Sequence, residues 1–122
     1  MKTFDVNDIQ LKIQSPGITV NEELENYLVT HIEKLGKTFP RIKKCELVLR
    51  EEKNGSKKNC LAEAKLFVPG NILFARSQED NFRLASKNMF DDLREQVVKV
   101  KERFEKKKTF GGEIDTGASF DL

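Results

Sequence analysis

The sequence predicts an α+β domain with a four-stranded mixed sheet and two helices packed on one sheet face, in the order β-α-β-β-β-α. Three observations predict it. Apolar residues recur at every second position in Asp8–Gln14, Lys44–Glu51 and Asn59–Val68, and Asn71–Ser77 reads as a fourth strand. Two longer stretches, beginning near Asn21 and near Asp80, carry apolar residues at helical spacing. Each strand has one apolar face and each helix one apolar stripe, which are buried together when both helices lie on the same side of one sheet.

Taken in order, Ile9, Leu11 and Ile13 form the inward side of the first strand, and Gln10, Lys12 and Gln14 the outward side. Ser15-Pro16-Gly17 turns the chain. Asn21 is placed to cap a helix whose first turn holds Glu22 and Glu23, acids suited to the positive end of the dipole. Leu24, Leu28, Ile32 and Leu35 form its apolar face, and Gly36 and Pro40 bracket its end. Cys45, Leu47 and Leu49 point inward from the second strand. Asn54-Gly55 supplies the positive φ of a tight hairpin. In the third strand Cys60, Ala62, Ala64, Leu66 and Val68 take the inward phase. Pro69-Gly70 turns into the fourth. The first and second strands should run parallel through the helical crossover, and the rest as antiparallel hairpins. The outer sheet face should be wet, with Gln10, Lys12, Gln14, Glu46 and Arg50 on it.

The last helix, Asp80–Lys108, contains no Gly or Pro. At about 100° per residue, Phe82, Met89, Phe90, Leu93, Val97, Val100 and Phe104 fall in one apolar sector. Arg83, Lys87, Arg94, Lys101 and Lys108 form a basic stripe beside it. That stripe reads equally as a solvated face, with i,i+4 pairs such as Glu95–Lys99, or as a face turned to a polyanion. Residues 109–122 hold three glycines and three acids, have no periodicity, and are expected to be a flexible tail after a domain spanning residues 1–108.

The 122 residues suffice for one domain with a modest core. The net charge of +2 is small, but the tail holds three of the acids and no base, which leaves the body at +5 and suited to an anionic partner. No apolar run is long enough to span a membrane, and the N-terminus has no secretory h-region. Cys45 and Cys60 read as buried free thiols, against a disulfide or metal pair, which fits a reducing cytoplasm. His31 lies beside the apolar stripe of the first helix and reads as a packed or half-exposed structural histidine, against a ligand or base. With one histidine and two separated cysteines there is no zinc-site spacing. No glycine-rich loop stands between a strand and a helix. Nothing calls for a cofactor, metal or small-molecule substrate, and the chain is expected not to be an enzyme.

The order and spacing of several short motifs resemble the short ribosome hibernation-promoting factor and ribosome-associated inhibitor A family of ribosomal subunit interface proteins. They are V-N-E-E-L from Val20, Tyr27, E-K-L-G-K-T-F-P-R-I from Glu33, E-L-V-L from Glu46, and E-D-N-F-R-L-A from Glu79. Asp92-Leu93, Gln96 and Lys99-Val100-Lys101 complete the set, so the resemblance covers about Ile9 to Lys101. It implies a fold related in shape to double-stranded RNA-binding domains. It also implies binding to small-subunit rRNA near the decoding centre and the tRNA and mRNA sites, and inhibition of translation in starved or stationary cells. Lys34, Arg41, Lys99 and Lys101 match basic positions of the family pattern. Lys37 and Lys43, from the basic cluster at the exit of the first helix, and Arg83, Lys87 and Arg94, from the stripe of the last helix, complete the expected rRNA-binding set. Asp92 and Glu95 depart from it, standing where the family usually has Lys and Arg. Those departures support an alternative, a protein-interaction domain on the same scaffold that has lost rRNA binding. The isolated protein is expected to be cytoplasmic and monomeric, with the small ribosomal subunit and its rRNA as partner.

Overall fold

The computed structural model describes residues 1–53 and 58–111, with the side chains of 106–111 excepted. Its elements are β1 (Lys2–Val6), β2 (Ile9–Gln14), α1 (Glu22–Thr38), β3 (Lys44–Glu51), β4 (Cys60–Val68), β5 (Asn71–Glu79) and α2 (Phe82–Gly111). The sheet order is β1-β2-β3-β4-β5. The β2–β3 pair is parallel, across the α1 crossover, and the other pairs are antiparallel.

The α+β class and both helices are as expected, but the sheet has five strands, not four. The additional strand is β1. It joins β2 through Asn7-Asp8, with Val6 opposite Ile9 across the turn. Asn7 and Asp8 have φ of 48° and 71°, the two positive values that a type I′ hairpin needs and that Asn and Asp tolerate. Val6 is buried and Phe4 packs against the core, while Lys2 ties β1 to α1 by a 2.8 Å ion pair with Glu25.

Asn21 caps α1, its side chain accepting from the Leu24 N–H at 2.8 Å. Gly36 does not end this helix, which continues to Thr38. A Cβ at Gly36 would lie 2.7 Å from Ile9 Cδ1, so glycine here lets α1 come close to β2. The helix stops at Phe39, which is extended as a residue before proline must be. Asn81, not Asp80, caps α2, by accepting from the Leu84 N–H at 2.8 Å. At its other end α2 runs three residues past Lys108, to Gly111. The remaining residues of the expected tail, 112–122, and the Asn54-Gly55 turn lie outside the described residues.

One core joins the inner sheet face to both helices, with Leu11, Leu28, Ile32, Leu47, Leu66, Met89, Leu93 and Val97 nearly or wholly buried. Cys45 lies in it. Cys60, at the sheet end, is only half-buried, and both thiols are free. The outer face is less wet than expected: Leu61 is fully buried there, beside Arg50 and Gln78, and Ile72 and Phe74 are exposed on β5. Fixing Arg50 and Arg76 to Glu52 and Glu63 orders one end of that face.

Candidate nucleic-acid interface

The two helices run side by side in the same direction. Arg83 near the start of α2 sits 4.3 Å over the Tyr27 ring of α1. Farther along, the His31 and Phe90 rings stack at 5.0 Å. At the far end Phe104 meets Phe39 edge-on at 5.8 Å, and Arg41 lies 4.7 Å over the Phe104 ring. These contacts leave a shallow groove along the seam. Its middle is a cavity of about 240 Å³ lined by His31, Lys34, Leu35, Thr38, Phe90 and Arg94.

The expected basic residues divide into three groups. Arg83, Lys87, Arg94 and Lys101 lie within about 40° of one another around the α2 axis, on the flank turned toward α1. Lys34 lies beside the seam on α1 and Arg41 reaches it over Phe104, whereas Lys37 stands about 120° around the α1 axis from His31, turned to solvent, and Lys43 follows in the exit toward β3. Lys99 is not with them. Two residues along a helix turn the chain by 200°, so Lys99 points nearly opposite to Lys101, and it lines a shallow solvent-side depression with Asp91, Arg94, Glu95, Val98 and Glu102. Asp92 and Glu95, the two acidic departures, share that solvent flank and face away from the seam. The expected Glu95–Lys99 pair does not form among the described residues. Instead Asp91 holds Lys87 at 3.1 Å and Arg94 at 3.4 Å.

The electrostatic state of these cations differs. Arg83 reaches Glu23 at 3.7 Å, but both side chains are more than half exposed, so the pair contributes little and yields easily. Lys34, Lys37, Lys43, Lys99 and Lys101 join no ion pair among the described residues. Burial first, then Lys34, Arg94 and Arg83, hold the His31 pKa below its usual value; Asp91 opposes them. His31, set aside from the sequence as structural, is therefore a half-exposed group inside a positive field. Its only sequence signal was its position one turn before Lys34 on the groove side of α1.

Among the described residues no cluster of His, Cys, Asp and Glu could hold a metal ion, and no helix is long and apolar enough to cross a membrane. A phosphate-sized anion is what unpaired cations on a shallow, open surface can bind; the seam cavity is open to solvent, unlike the enclosed, dry pockets that small-molecule sites use.

The family model described as sigma 54 modulation protein / S30EA ribosomal protein matches residues 11–105. The chain belongs to this family. It is the ribosome hibernation and subunit-interface family that the sequence pattern resembles. No curated protein matches this S30EA-family chain in sequence. Its fold is shared by solved structures, among them these two. One is a ribosomal subunit interface protein from Coxiella burnetii, with a TM-score of 0.65 and 14% identity, covering 75% of this chain and 97% of that one. The other is the Protein Y N-terminal domain from Thermus thermophilus, with a TM-score of 0.63 and 17% identity, covering 73% and 94%. At such identities the S30EA-family fold is shared while surface residues are free to differ, so the seam must be argued from its own charges.

Proposed function

We propose that this S30EA-family protein is a cytoplasmic, non-enzymatic translation inhibitor. It binds small-subunit rRNA near the decoding centre and the tRNA and mRNA sites and acts in ribosome hibernation in starved or stationary cells. The observation that carries this reading is the α1–α2 seam, where Lys34 and Arg41 on the α1 side meet Arg83 and Arg94 of α2; Lys37, Lys43, Lys87 and Lys101 would extend the proposed surface on either side. Parallel rows of cations on two packed helices match the phosphates bordering a groove of A-form RNA, which is recognised by shape and backbone more than by base edges. Counterion release supplies affinity, and the rigid spacing of the helices supplies shape selectivity. The likeness to two solved structures, one of them a ribosomal subunit interface protein, supports the same reading.

The alternative of a scaffold that has lost rRNA binding draws on Asp92 and Glu95, and its force is reduced because both side chains lie on the flank away from the seam. Lys99 shares that flank and makes at most a peripheral contact.

The test is co-sedimentation of the protein with small subunits and whole ribosomes from resting cells at physiological salt, together with inhibition of translation in an extract. Binding to the small subunit that is lost on raising the salt is the expected result. Failure to sediment with either particle at low salt would overturn the reading.

A further inference from the structure

We propose that the middle of the α1–α2 groove is a seat for a single phosphate group, in which the His31 ring closes on the anion beside Lys34 and Arg94. The natural occupant, a phosphodiester of RNA, rests on the function proposed above; the seat itself does not.

The geometry carries this. The cavity of about 240 Å³ has Leu35 and Phe90 as part of its lining and His31, Lys34 and Arg94 as its donors. At about 30 Å³ per water, it has room for a phosphate group and part of its hydration. His31 is held in place by stacking on Phe90 at 5.0 Å and by the Tyr27 ring at 4.3 Å. Neither of its ring nitrogens has a hydrogen-bond partner among the described residues. Thr38 contributes no donor, because its hydroxyl donates to the Lys34 carbonyl at 3.1 Å. Arg94 gives one nitrogen to Asp91 and keeps its other N–H groups for a ligand. Lys34 has no carboxylate partner among the described residues.

The charged groups around His31 are Lys34 on its own helix and Arg83, Asp91 and Arg94 on α2. Three cations against one acid disfavour the imidazolium in the empty groove. A bound anion offsets that field and offers an acceptor to the ring N–H. Binding and protonation of His31 are therefore coupled: the anion raises the His31 pKa, and acidification tightens the grip. Each unit of rise corresponds to about tenfold in affinity between high and low pH.

His31 is the sole histidine, so its ring protons give an unambiguous NMR signal. Its titration is followed in sodium phosphate and in sodium chloride at matched ionic strength, because screening of the cations alone also raises the pKa. The expected result is a midpoint about half a unit or more higher in phosphate, with the difference abolished in Lys34→Ala and Arg94→Ala. Equal midpoints in the two salts would overturn the seat, as would a difference that survives both substitutions. A short RNA duplex forms the second arm. A raised midpoint with the duplex makes the occupant a phosphodiester; a rise with inorganic phosphate alone supports the seat and removes RNA from it. In the same arm His31→Gln, which retains a polar, planar side chain, should lose the tightening between pH 7.5 and 5.5 yet keep most of its affinity at pH 7.5. Retained tightening would mean that another group senses the anion. A protein that passes these tests but does not sediment with ribosomes loses the proposed function and keeps the seat.

Discussion

Ser86 is the one fully buried polar residue of the core, and its hydroxyl has no partner among the described residues. A buried, unpaired hydroxyl is destabilising, and serine is a poorer helix former than alanine. Ser86→Ala should therefore raise stability, by about 0.5–1 kcal/mol; a loss in a denaturant melt would show that the hydroxyl is bonded after all. His31 works in the opposite direction as pH falls. Its pKa in the folded protein lies below the unfolded value, so the unfolded chain binds more protons just below pH 6.5, and stability drops there as pH falls. In low salt and without anions, melts at pH 7.5 and 5.5 should differ by less in His31→Gln than in the natural protein. An equal difference would mean that His31 is not the group responsible. Burial at single positions was largely legible in the sequence: Leu47, Leu66, Leu93 and Val97 all fall in one core. What the periodicity could not reveal was which polar side chain would be left beside a groove, because that depends on the packing of a second helix.

The edge strand β5 shows how one element manages its neighbours. Its outer flank has no strand beside it, and α2 supplies Gln96, whose side-chain N–H donates to the Phe74 carbonyl at 2.9 Å. An open strand edge invites pairing with another chain, and this contact closes one of its acceptors. Gln96→Ala should cost about 1 kcal/mol, the usual net value of such a bond. An unchanged midpoint in a denaturant melt would leave the contact without energetic weight. Gln96 stood out in the sequence only as part of the family resemblance; its partner sits 22 residues away, beyond any local pattern. The strand β1 was missed for a different reason. Its five residues are mostly polar, with Lys2 sharing the helix-facing side with Phe4 and Val6, so the apolar alternation is brief, and Asn7-Asp8 is a less familiar hairpin signal than Asn-Gly. Gly36 was misread because a helix-ending glycine and a close-packing glycine look alike in sequence; only Ile9 across the interface separates them.

At the scale of the molecule, the parallel run of α1 and α2 sorts the charges. Acids Glu22, Glu23 and Glu25 gather at the start of α1, and the cations Lys34, Lys37 and Arg41 follow along its second half and exit, with Arg94 and Lys101 across the seam. Binding to RNA should therefore weaken with salt in proportion to the phosphates met by the seam. Replacing both Lys34 and Arg94 by alanine should flatten the log–log salt dependence by roughly one unit, because both cations grip the same phosphate. Lys99→Ala, on the solvent flank, should change it by less than about one unit. The reverse ranking, measured by ribosome or duplex binding across a salt series, would move the interface to the other side of α2. The wheel puts Arg83, Lys87, Arg94 and Lys101 on one stripe, whereas the family resemblance set Lys99 beside Lys101, an association that helical geometry separates.

The two thiols make the molecule its own stopwatch. Thiolates, not thiols, are alkylated, and burial first, then the Glu46 charge, pushes the Cys45 thiol far up, in the middle of the β2–β3–β4 sheet. Cys60 is also pushed up, but it is half-buried at the end of β4 and open to reagent. Alkylation should thus proceed in two phases, a fast one at Cys60 and a slow one at Cys45 that waits for the sheet centre to open. A ligand that binds only the folded chain retards that opening, by a factor of one plus its concentration over Kd when opening is a rapid pre-equilibrium. The slow phase would then measure the affinity of phosphate or RNA for the helix seam from the far side of the core, with no label on the binding surface. Equal rates at both cysteines would show that the centre of the sheet opens as readily as its end.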